Sequence, residues 1–329
     1  MKINTLFEQF SQQHILVVGD IMLDTYTFGD VHRISPEAPV PIVNITHADK
    51  RLGGAANVAL NLRSLGAKVS MLAITGNDAE ANDIISILQQ QGINADGVLK
   101  MDGRKTTVKN RVVANKHQLL RIDHESTEEL NASDSERLID LAKNIIGQNN
   151  ITAVIFEDYD KGTLNEQIIQ AILAITQVKN IPTTVDPKKR NFDFYSGASL
   201  FKPNLREFHE GLNFAGSKQE LLQQLPVLGI EYCKAKGYKY LFITLSEHGV
   251  FICDQENSYL EKAHLRSISD VSGAGDTVIA VATLCLAATC EMSKIASIAN
   301  MAGGLVCEKL GVVSIGIDEL KAELSVDEK

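Results

Sequence analysis

The chain has 329 residues, a mass of 35.9 kDa and a formal net charge of -9. The length allows a sizeable hydrophobic core in one large α/β domain or two modest ones, and the acidic balance argues against a nucleic acid partner. The five cysteines show no CxxC spacing, which favours free thiols in the reducing cytoplasm. The polar N-terminus does not resemble a signal peptide, and the apolar run 278–290 is too short to span a bilayer. We therefore predict a cytoplasmic protein with no membrane partner.

Strands and helices alternate along most of the chain. A continuous apolar run at residues 15–18 ends at Gly19 and Asp20, which is typical of a buried parallel strand. Further strands are predicted at residues 69–75, 153–156, 183–185, 200–202 and 240–244, with a hairpin at 250–254 and 258–262. Helices are predicted at 79–91, 133–146, 164–176 and 295–310. This alternation predicts an α/β fold whose mostly parallel sheet is covered on both faces.

Two segments interrupt the alternation, at about residues 25–50 and 102–123. Three prolines exclude a helix from the first segment, and the second alternates polar and β-branched residues, which is typical of strands. We predict that the two segments form a small antiparallel sheet apart from the main domain. Its basic residues belong either to a solvated face or to a binding surface, and they are Arg104, Lys105, Lys109, Arg111 and Lys116.

Polar side chains collect where successive strands end. Because open α/β sheets bind ligands at the carboxyl ends of their strands, these residues are predicted to line one cleft: Asp24, Asp158, Lys161, Asp186, Asn204, Glu207, Thr244 and Ser246. Asn204 and Glu207 are three residues apart and share one face of a helical turn. One amide and one carboxylate suit a magnesium ion that is held mainly through water and phosphate.

The stretch 270–277 (DVSGAGDT) is a glycine turn that leads into an apolar helix. The free N–H groups at a helix start bind anions, and phosphate is a common one. A carboxylate at Asp276 would repel a phosphate, but a base that takes a proton while a phosphoryl group moves explains it. The alternative is an ordinary aspartate cap of the helix.

A second glycine-rich helix start contains Gly53, Gly54 and Asn57. Small residues let a ligand or another backbone approach closely, so this segment either binds a hydroxylated ligand or packs tightly against the sheet. No GxxxxGK[ST], GxGxxG or HExxH motif is present, which argues against a P-loop enzyme, a dinucleotide-dependent oxidoreductase and a zinc enzyme.

These motifs together resemble those of the ribokinase-like (PfkB) sugar kinases. Residues 270–276 are similar to the family's C-terminal signature, residues 51–66 to its N-terminal signature, and Asn204-x-x-Glu207 to its magnesium and phosphate motif. The resemblance implies a three-layer ribokinase-like domain over residues 1–329, in which the two interrupting segments form a β-sheet lid. It also implies ATP and Mg²⁺ as cofactors and a homodimer formed through the lid.

Within the family, residues 34–43, 118–123, 158–162 and 186–188 are similar to those of kinases that phosphorylate D-glycero-D-manno-heptose 7-phosphate at O1. That step belongs to the synthesis of ADP-heptose for the lipopolysaccharide core. Many such kinases are fused to an adenylyltransferase, and because the sequence ends at Lys329 we expect the stand-alone form.

Two residues depart from the pattern. Ser272 replaces a common threonine, and Asp160 adds negative charge near a phosphorylated substrate.

The resemblance implies a role for each matched position. Asp276 is the base for the sugar hydroxyl, and the N–H groups of Gly273, Ala274, Gly275 and Asp276 form the anion hole. The residues implied to hold the sugar are Asp24, Gly53, Gly54, Asn57 and Asp158. Those expected at its phosphate are Lys109, Arg111 and Lys161. Those implied along the ATP are Asn204, Glu207, Thr244, Ser246, Gly249 and Asn300.

Two other functions stay open at this point. The first is another sugar or nucleoside kinase on the same fold, and the second is a non-catalytic sugar or nucleotide sensor. The basic residues of the lid favour a phosphorylated substrate, and this argues against the first alternative. The intact Asp276, Asn204 and Glu207 argue against the second.

Overall fold

The computed structural model describes residues 3–327, apart from residues 116, 265 and 310. Its main sheet has nine strands in the order β13-β12-β11-β10-β9-β8-β1-β4-β5. The strands of this sheet are β1 (His14–Gly19), β4 (Lys68–Gly76), β5 (Asn94–Met101), β8 (Ala153–Glu157), β9 (Thr183–Asp186), β10 (Leu200–Phe201), β11 (Tyr240–Thr244), β12 (Val250–Cys253) and β13 (Ser258–Glu261). All neighbours pair in parallel except β11–β12 and β12–β13. The predicted mostly parallel sheet is therefore confirmed.

Helices cover both faces of this sheet. They are α1 (Ile3–Gln12), α2 (Ala55–Ser64), α3 (Ala79–Gln90), α4 (Ala132–Gln148), α5 (Glu166–Val178), α6 (Leu205–Gly211), α7 (Lys218–Lys236), α8 (Ala274–Ala287), α9 (Met292–Cys307) and α10 (Ile317–Asp327). Successive side chains of β1 enter opposite cores, because strand side chains alternate between faces. Ile15 and Val17 pack in the core with α2 and α8, whereas Leu16 and Val18 pack with α4 and α5. The result is three layers around a buried central strand.

Three elements of the structure are not among those predicted from the sequence. Strand β5 is a sheet edge that pairs only with β4 among the described strands, and its sequence mixes polar residues with Gly97. Helix α7 contains Pro226, which normally interrupts a helix. Its first turn is stabilised by a capping box between Ser217 and Glu220, a strong helix-start signal. Helix α10 was also missed.

The lid is a four-stranded sheet in the order β3-β2-β6-β7. Its strands are β2 (Ile21–Ile34), β3 (Pro41–Gly54), β6 (Val108–Ala114) and β7 (His117–His124). The predicted second sheet is confirmed, but the expectation that it is wholly antiparallel is wrong, because β2 and β6 pair in parallel. Both strands leave the main sheet at the carboxyl ends of parallel strands, β1 and β5, and therefore run in the same direction. Among the predicted basic residues of the lid, Lys116 lies outside the described residues.

Within the described part of the chain, no helix combines the length and the apolar composition that a membrane crossing would need.

A pair of buried hydroxyl groups joins α8 to the sheet below it. The hydroxyl oxygens of Thr184, on β9, and Thr283, on α8, are 2.7 Å apart, and Thr283 also donates to the Ile279 carbonyl. Both side chains have no exposed surface. The position of α8, and with it the loop that precedes it, therefore depends partly on a polar contact inside an apolar core.

This contact predicts unequal costs for the two threonines. Thr283→Val should lower the free energy of unfolding by about 1–3 kcal/mol, because it leaves the Thr184 hydroxyl buried without a partner. Thr184→Val should cost less, because Thr283 keeps its bond to Ile279. Adding Thr184→Val to Thr283→Val should then cost little or recover stability. Urea unfolding of the three variants measures this, and strictly additive costs would contradict it.

Candidate active site

The glycine turn before α8 lies beside residues at the carboxyl ends of β9 and β10. Gly273 has φ +81°, in the left-handed region that favours glycine. A Cβ there would also lie 3.1 Å from Nδ2 of Asn57. The Ala274 N–H bonds the Val271 carbonyl, whereas no acceptor among the described residues takes the N–H groups of Gly275 and Asp276. Two donors of the predicted anion hole are therefore available at the positive end of α8.

Asp276 is buried at the start of α8 and accepts two side-chain hydrogen bonds. Nδ2 of Asn57 donates to its Oδ2 at 2.6 Å, and the hydroxyl of Tyr159 donates to its Oδ1 at 2.9 Å. Burial raises the pKa of Asp276 to about 6, and the charge of Asp186 acts in the same direction. The two hydrogen bonds and the charge of Lys202 oppose this rise in pKa. A carboxyl group with this pKa is ionised at neutral pH and is basic enough to accept a proton.

Charged residues at the ends of three neighbouring strands surround Asp276. Lys202 and Asp186 are both buried, and their Nζ and Oδ2 atoms are 2.7 Å apart. A Cβ on Gly275 would lie 3.8 Å from the same Nζ, so this ammonium group is next to the anion hole. Glu157 is fully buried, and desolvation raises its pKa well above the usual range. Neither Lys202 nor Glu157 is among the predicted site residues, although each ends or follows a predicted strand.

Of the residues predicted to hold a sugar, Asn57 contacts Asp276, and Asp24 lies beside Gly53. Asp24 on β2 is 4% exposed, and its Oδ2 is 2.4 Å from the position that a Cβ on Gly53 would occupy. Gly54 has φ +59°, and a Cβ there would collide with the Asp20 carbonyl. Oδ1 of Asn57 is buried and has no partner among the described residues, so it can accept a bond from a ligand hydroxyl.

The three predicted phosphate ligands differ in their surroundings. Arg111 donates to Oδ1 of Asp24 at 2.5 Å, and Lys161 pairs with Glu125 at 2.8 Å. No carboxylate of the described residues lies within ion-pair distance of Lys109, whose amine is 6.0 Å from the centroid of the Tyr159 ring. Burial lowers the pKa of Lys109. Of these three cations, Lys109 is thus the one most available to bind a phosphate.

Asp158, which was predicted to hold the sugar, bonds residues outside the predicted sugar site. Its Oδ2 accepts bonds from Asn191 and from the Tyr195 hydroxyl, each at 2.9 Å, and its Oδ1 accepts the Asp160 N–H. The side chain is 1% exposed. Its predicted contact with the sugar stays a prediction, and the geometry favours a role in holding its own loop. The next residue, Tyr159, is the one that reaches Asp276, and it is not among the predicted site residues.

The predicted nucleotide residues Asn204, Glu207 and Thr244 lie around the start of α6. Asn204 and Glu207 cap α6 reciprocally: Oδ1 of Asn204 accepts the Glu207 N–H, and Oε2 of Glu207 accepts the Asn204 N–H, both at 2.9 Å. Thr244, at the end of β11, forms a β-bridge with Asn204. Two clefts of about 550 and 590 Å³ adjoin this edge and share Leu222, Leu245, Glu247 and His248; the first also contains Asn204 and Ser246.

Gly249 and Asn300 shape the chain around these clefts. Gly249 has φ +90°, and a Cβ there would lie 2.0 Å from the Glu261 carbonyl oxygen, so only glycine fits this turn. Asn300, on α9, donates from Nδ2 to the Lys262 carbonyl at 2.9 Å. Lys262 lines the 590 Å³ cleft. Both predicted ATP residues thus support the backbone at the cleft, and their contacts with ATP stay predictions.

Residues 12–319 match the model of the pfkB family of carbohydrate kinases. The Bifunctional protein HldE of Campylobacter jejuni serotype O:2 is 41% identical over 98% of this chain and 67% of its own length. The Bifunctional protein HldE of Coxiella burnetii strain Dugway is 37% identical over 96% of the chain and 64% of its own length. The chain thus spans about two thirds of these relatives.

Two solved structures share the fold at low sequence identity. The tetrameric inhibited form of phosphofructokinase-2 from Escherichia coli superposes with a TM-score of 0.75 at 18% identity, over 95% of this chain and 99% of the other. Arabidopsis thaliana ribokinase complexed with ribose and ATP gives a TM-score of 0.71 at 17% identity, over 95% and 98%. They confirm the predicted ribokinase-like fold. With the family match over most of its length, the chain belongs to the pfkB family of carbohydrate kinases and is an ATP-dependent sugar kinase.

Proposed function

We propose that this kinase transfers the γ-phosphoryl group of ATP to O1 of D-glycero-D-manno-heptose 7-phosphate, giving heptose 1,7-bisphosphate for ADP-heptose and lipopolysaccharide core synthesis. The observation that carries the proposal is the grouping of Asp276, the free N–H groups of Gly275 and Asp276, and the basic lid residue Lys109, whose amine lies 6.0 Å from the ring of the tyrosine that bonds Asp276. The choice of heptose rests on the resemblance of the four segments described above and on the HldE relatives.

The mechanism needs one proton transfer and one phosphoryl transfer. Asp276 takes the proton of the acceptor hydroxyl. The oxygen of that hydroxyl forms a bond to the γ-phosphorus, and the bond from phosphorus to the ADP oxygen breaks. The N–H groups of Gly275 and Asp276 donate to the moving phosphoryl oxygens, a contribution of about 10²–10³ in rate per donor in comparable sites. The Lys202 ammonium group, next to Gly275, adds a fixed positive charge at the same place.

Magnesium fits this site only through its water shell. One oxygen of Glu207 accepts the Asn204 N–H and the other is paired with Lys188, so direct ligation by Glu207 would break existing bonds. The remaining lone pairs can accept hydrogen bonds from metal-bound water. Among the described residues, no cluster of three or more His, Cys, Asp and Glu side chains offers an all-protein cation site. When bound with ATP, the ion would neutralise phosphate charge, with Asn204 and Glu207 holding its waters.

The lid supports two further parts of the proposal. Its closure over the sugar would exclude water and so prevent simple hydrolysis of ATP. Large apolar side chains on the lid strands are exposed: Ile34, Ile45, Leu119, Leu120 and Ile122. Exposed apolar side chains gathered on one sheet favour burial against a partner, which supports a homodimer formed through the lid. A cytoplasmic location, where ATP is plentiful, belongs to the same proposal.

Removal of the base should stop turnover and leave the nucleotide in place. Asp276→Asn should lower kcat by about 10²–10⁴, because an amide cannot take the proton, while ATP affinity stays within about threefold since the N–H donors remain. ADP release and calorimetric ATP titration measure the two effects. The control is Asp254→Asn, a carboxylate in the turn between β12 and β13, which should keep wild-type activity. A fully active Asp276→Asn enzyme would exclude this mechanism.

The rate should depend on pH through Asp276. Because its pKa is raised to about 6, the carboxyl is protonated and inactive below that pH and ionised above it. We expect kcat/KM for the sugar, at saturating magnesium-ATP, to rise with a slope of one through about pH 6 and then level off. A stopped assay across this range measures it, and a profile that is flat through pH 6 would contradict the assignment.

A substrate panel tests the proposed acceptor. ADP release should be fastest with D-glycero-D-manno-heptose 7-phosphate, slower with fructose 6-phosphate and slowest with ribose. Only the first sugar carries both the 7-phosphate and the O1 hydroxyl of the proposed acceptor. Lys109→Met should lower kcat/KM for the heptose phosphate by about 10–100-fold, the loss of one charge-assisted bond, and leave ribose unchanged.

Lys105→Met is the matched control, since Lys105 precedes the same lid strand but is exposed. Turnover of another sugar in place of the heptose phosphate would replace the proposed acceptor. An absence of ADP with every sugar in the panel would favour the sensor function instead.

A further inference from the structure

Tyr159 contacts the proposed base, and no role for it follows from the family motifs set out above. Its hydroxyl lies 2.9 Å from Oδ1 of Asp276, whereas Asn57 bonds the other oxygen, Oδ2. Each carboxylate oxygen has a further lone pair. Asp276 is thus held from two sides and can still accept a bond from a sugar hydroxyl.

The backbone around Tyr159 is fixed by a buried carboxylate. Asp20, directly after β1, accepts the N–H groups of Tyr159 at 2.8 Å, Lys161 at 3.0 Å and Thr163 at 3.0 Å. Asp20 is 2% exposed. Three hydrogen bonds from one loop to a single buried side chain leave that backbone little freedom, and they hold the Tyr159 ring where its hydroxyl reaches Asp276.

The Tyr159 ring also lies near two ammonium groups. Nζ of Lys188 is 5.4 Å and Nζ of Lys109 is 6.0 Å from its centroid, within the range of cation–π contacts. Burial, with the charges of Asp276, Glu157 and Asp186, raises the pKa of the Tyr159 phenol well above its usual value. The phenol therefore keeps its proton and acts as a donor toward Asp276 and never as a competing base.

We propose that Tyr159 is a positioning residue for the base: its hydroxyl stabilises the carboxylate form of Asp276 and fixes the orientation in which that carboxylate meets the acceptor hydroxyl. This inference rests on the proposed role of Asp276 as base. The remaining groups that face Asp276 come from different elements. Asn57 is on α2, Glu157 ends β8, Asp186 ends β9 and Lys202 follows β10. Tyr159 is the hydroxyl donor in this set.

The test is Tyr159→Phe, which keeps the ring and removes the hydroxyl. Loss of a bond to the charged form raises a carboxyl pKa, here by about one pH unit. The acid limb of kcat/KM should therefore move from about pH 6 to about pH 7. We expect kcat/KM of Tyr159→Phe to be about tenfold below wild type at pH values under about 6, and lower by about twofold or less at pH values above about 7. A residue with only a packing role would lower the rate evenly at all pH values.

Tyr195→Phe is the matched control. Tyr195 is fully buried and donates to Asp158 at 2.9 Å, so this variant loses an equivalent hydroxyl bond to a different carboxylate. Its acid limb should stay at the wild-type pH. A Tyr159→Phe limb that also stays there, whatever the size of the rate loss, would overturn the inference.

A second measurement needs no substrate. Carbon NMR titration of the aspartate carboxyl groups, with the Asp276 signal assigned from its absence in Asp276→Asn, gives the pKa of Asp276 directly. In Tyr159→Phe this pKa should rise by about one unit. If the protein turns over no sugar but this pKa still rises, the proposed function fails while the contact stands. If turnover is normal and the pKa does not move, the inference about Tyr159 alone is wrong.

Discussion

The site depends on a buried carboxylate held where the N-termini of two helices meet. Asp276 at the start of α8 is bonded by Asn57 at the start of α2, and the next residue, Thr277, donates to Oδ1 of Asn61, one turn further along α2. Burying a carboxylate costs free energy unless hydrogen bonds compensate. Here a side-chain amide, a phenol and the positive end of a helix supply that compensation. Burial nevertheless keeps the carboxylate basic, and the neighbouring N–H groups of Gly275 and Asp276 are left for a phosphate.

A second constraint comes from the end of the central strand. The Asp20 carbonyl accepts the Ala55 N–H that begins α2, and its carboxylate holds the loop that carries Tyr159. Gly54 must lack a side chain because a Cβ would lie 2.5 Å from that carbonyl. One residue thus positions both partners of Asp276, on α2 and on the loop after β8. The lid strand β2 begins at the next residue, Ile21, so the lid and the base share this anchor.

Much of this could be predicted from sequence where the signal is local. The glycine turn, the helical turn that holds Asn204 and Glu207, and the buried central strand β1 all depend on neighbouring residues, and each was predicted. The parallel pairing of β2 with β6 was not, because it depends on where two distant segments leave the main sheet.

The same limit explains the site residues that were missed. Asp158 and Tyr159 are adjacent, and the strand-end pattern cannot tell which of them faces the cleft. The structure directs Asp158 to Asn191 and Tyr195, and Tyr159 to Asp276. Lys202 becomes significant only when β9 and β10 pair and bring it to Asp186. Pairing over such sequence separations depends on the whole sheet, and no short motif encodes it.

A crystal structure with the heptose phosphate and a non-hydrolysable ATP analogue would test the central claim most directly. The account predicts the acceptor hydroxyl within hydrogen-bond distance of an Asp276 oxygen, about 2.6–3.2 Å, and the γ-phosphate on the N–H groups of Gly275 and Asp276. An acceptor hydroxyl bound away from Asp276, or a γ-phosphate that does not reach the start of α8, would contradict it.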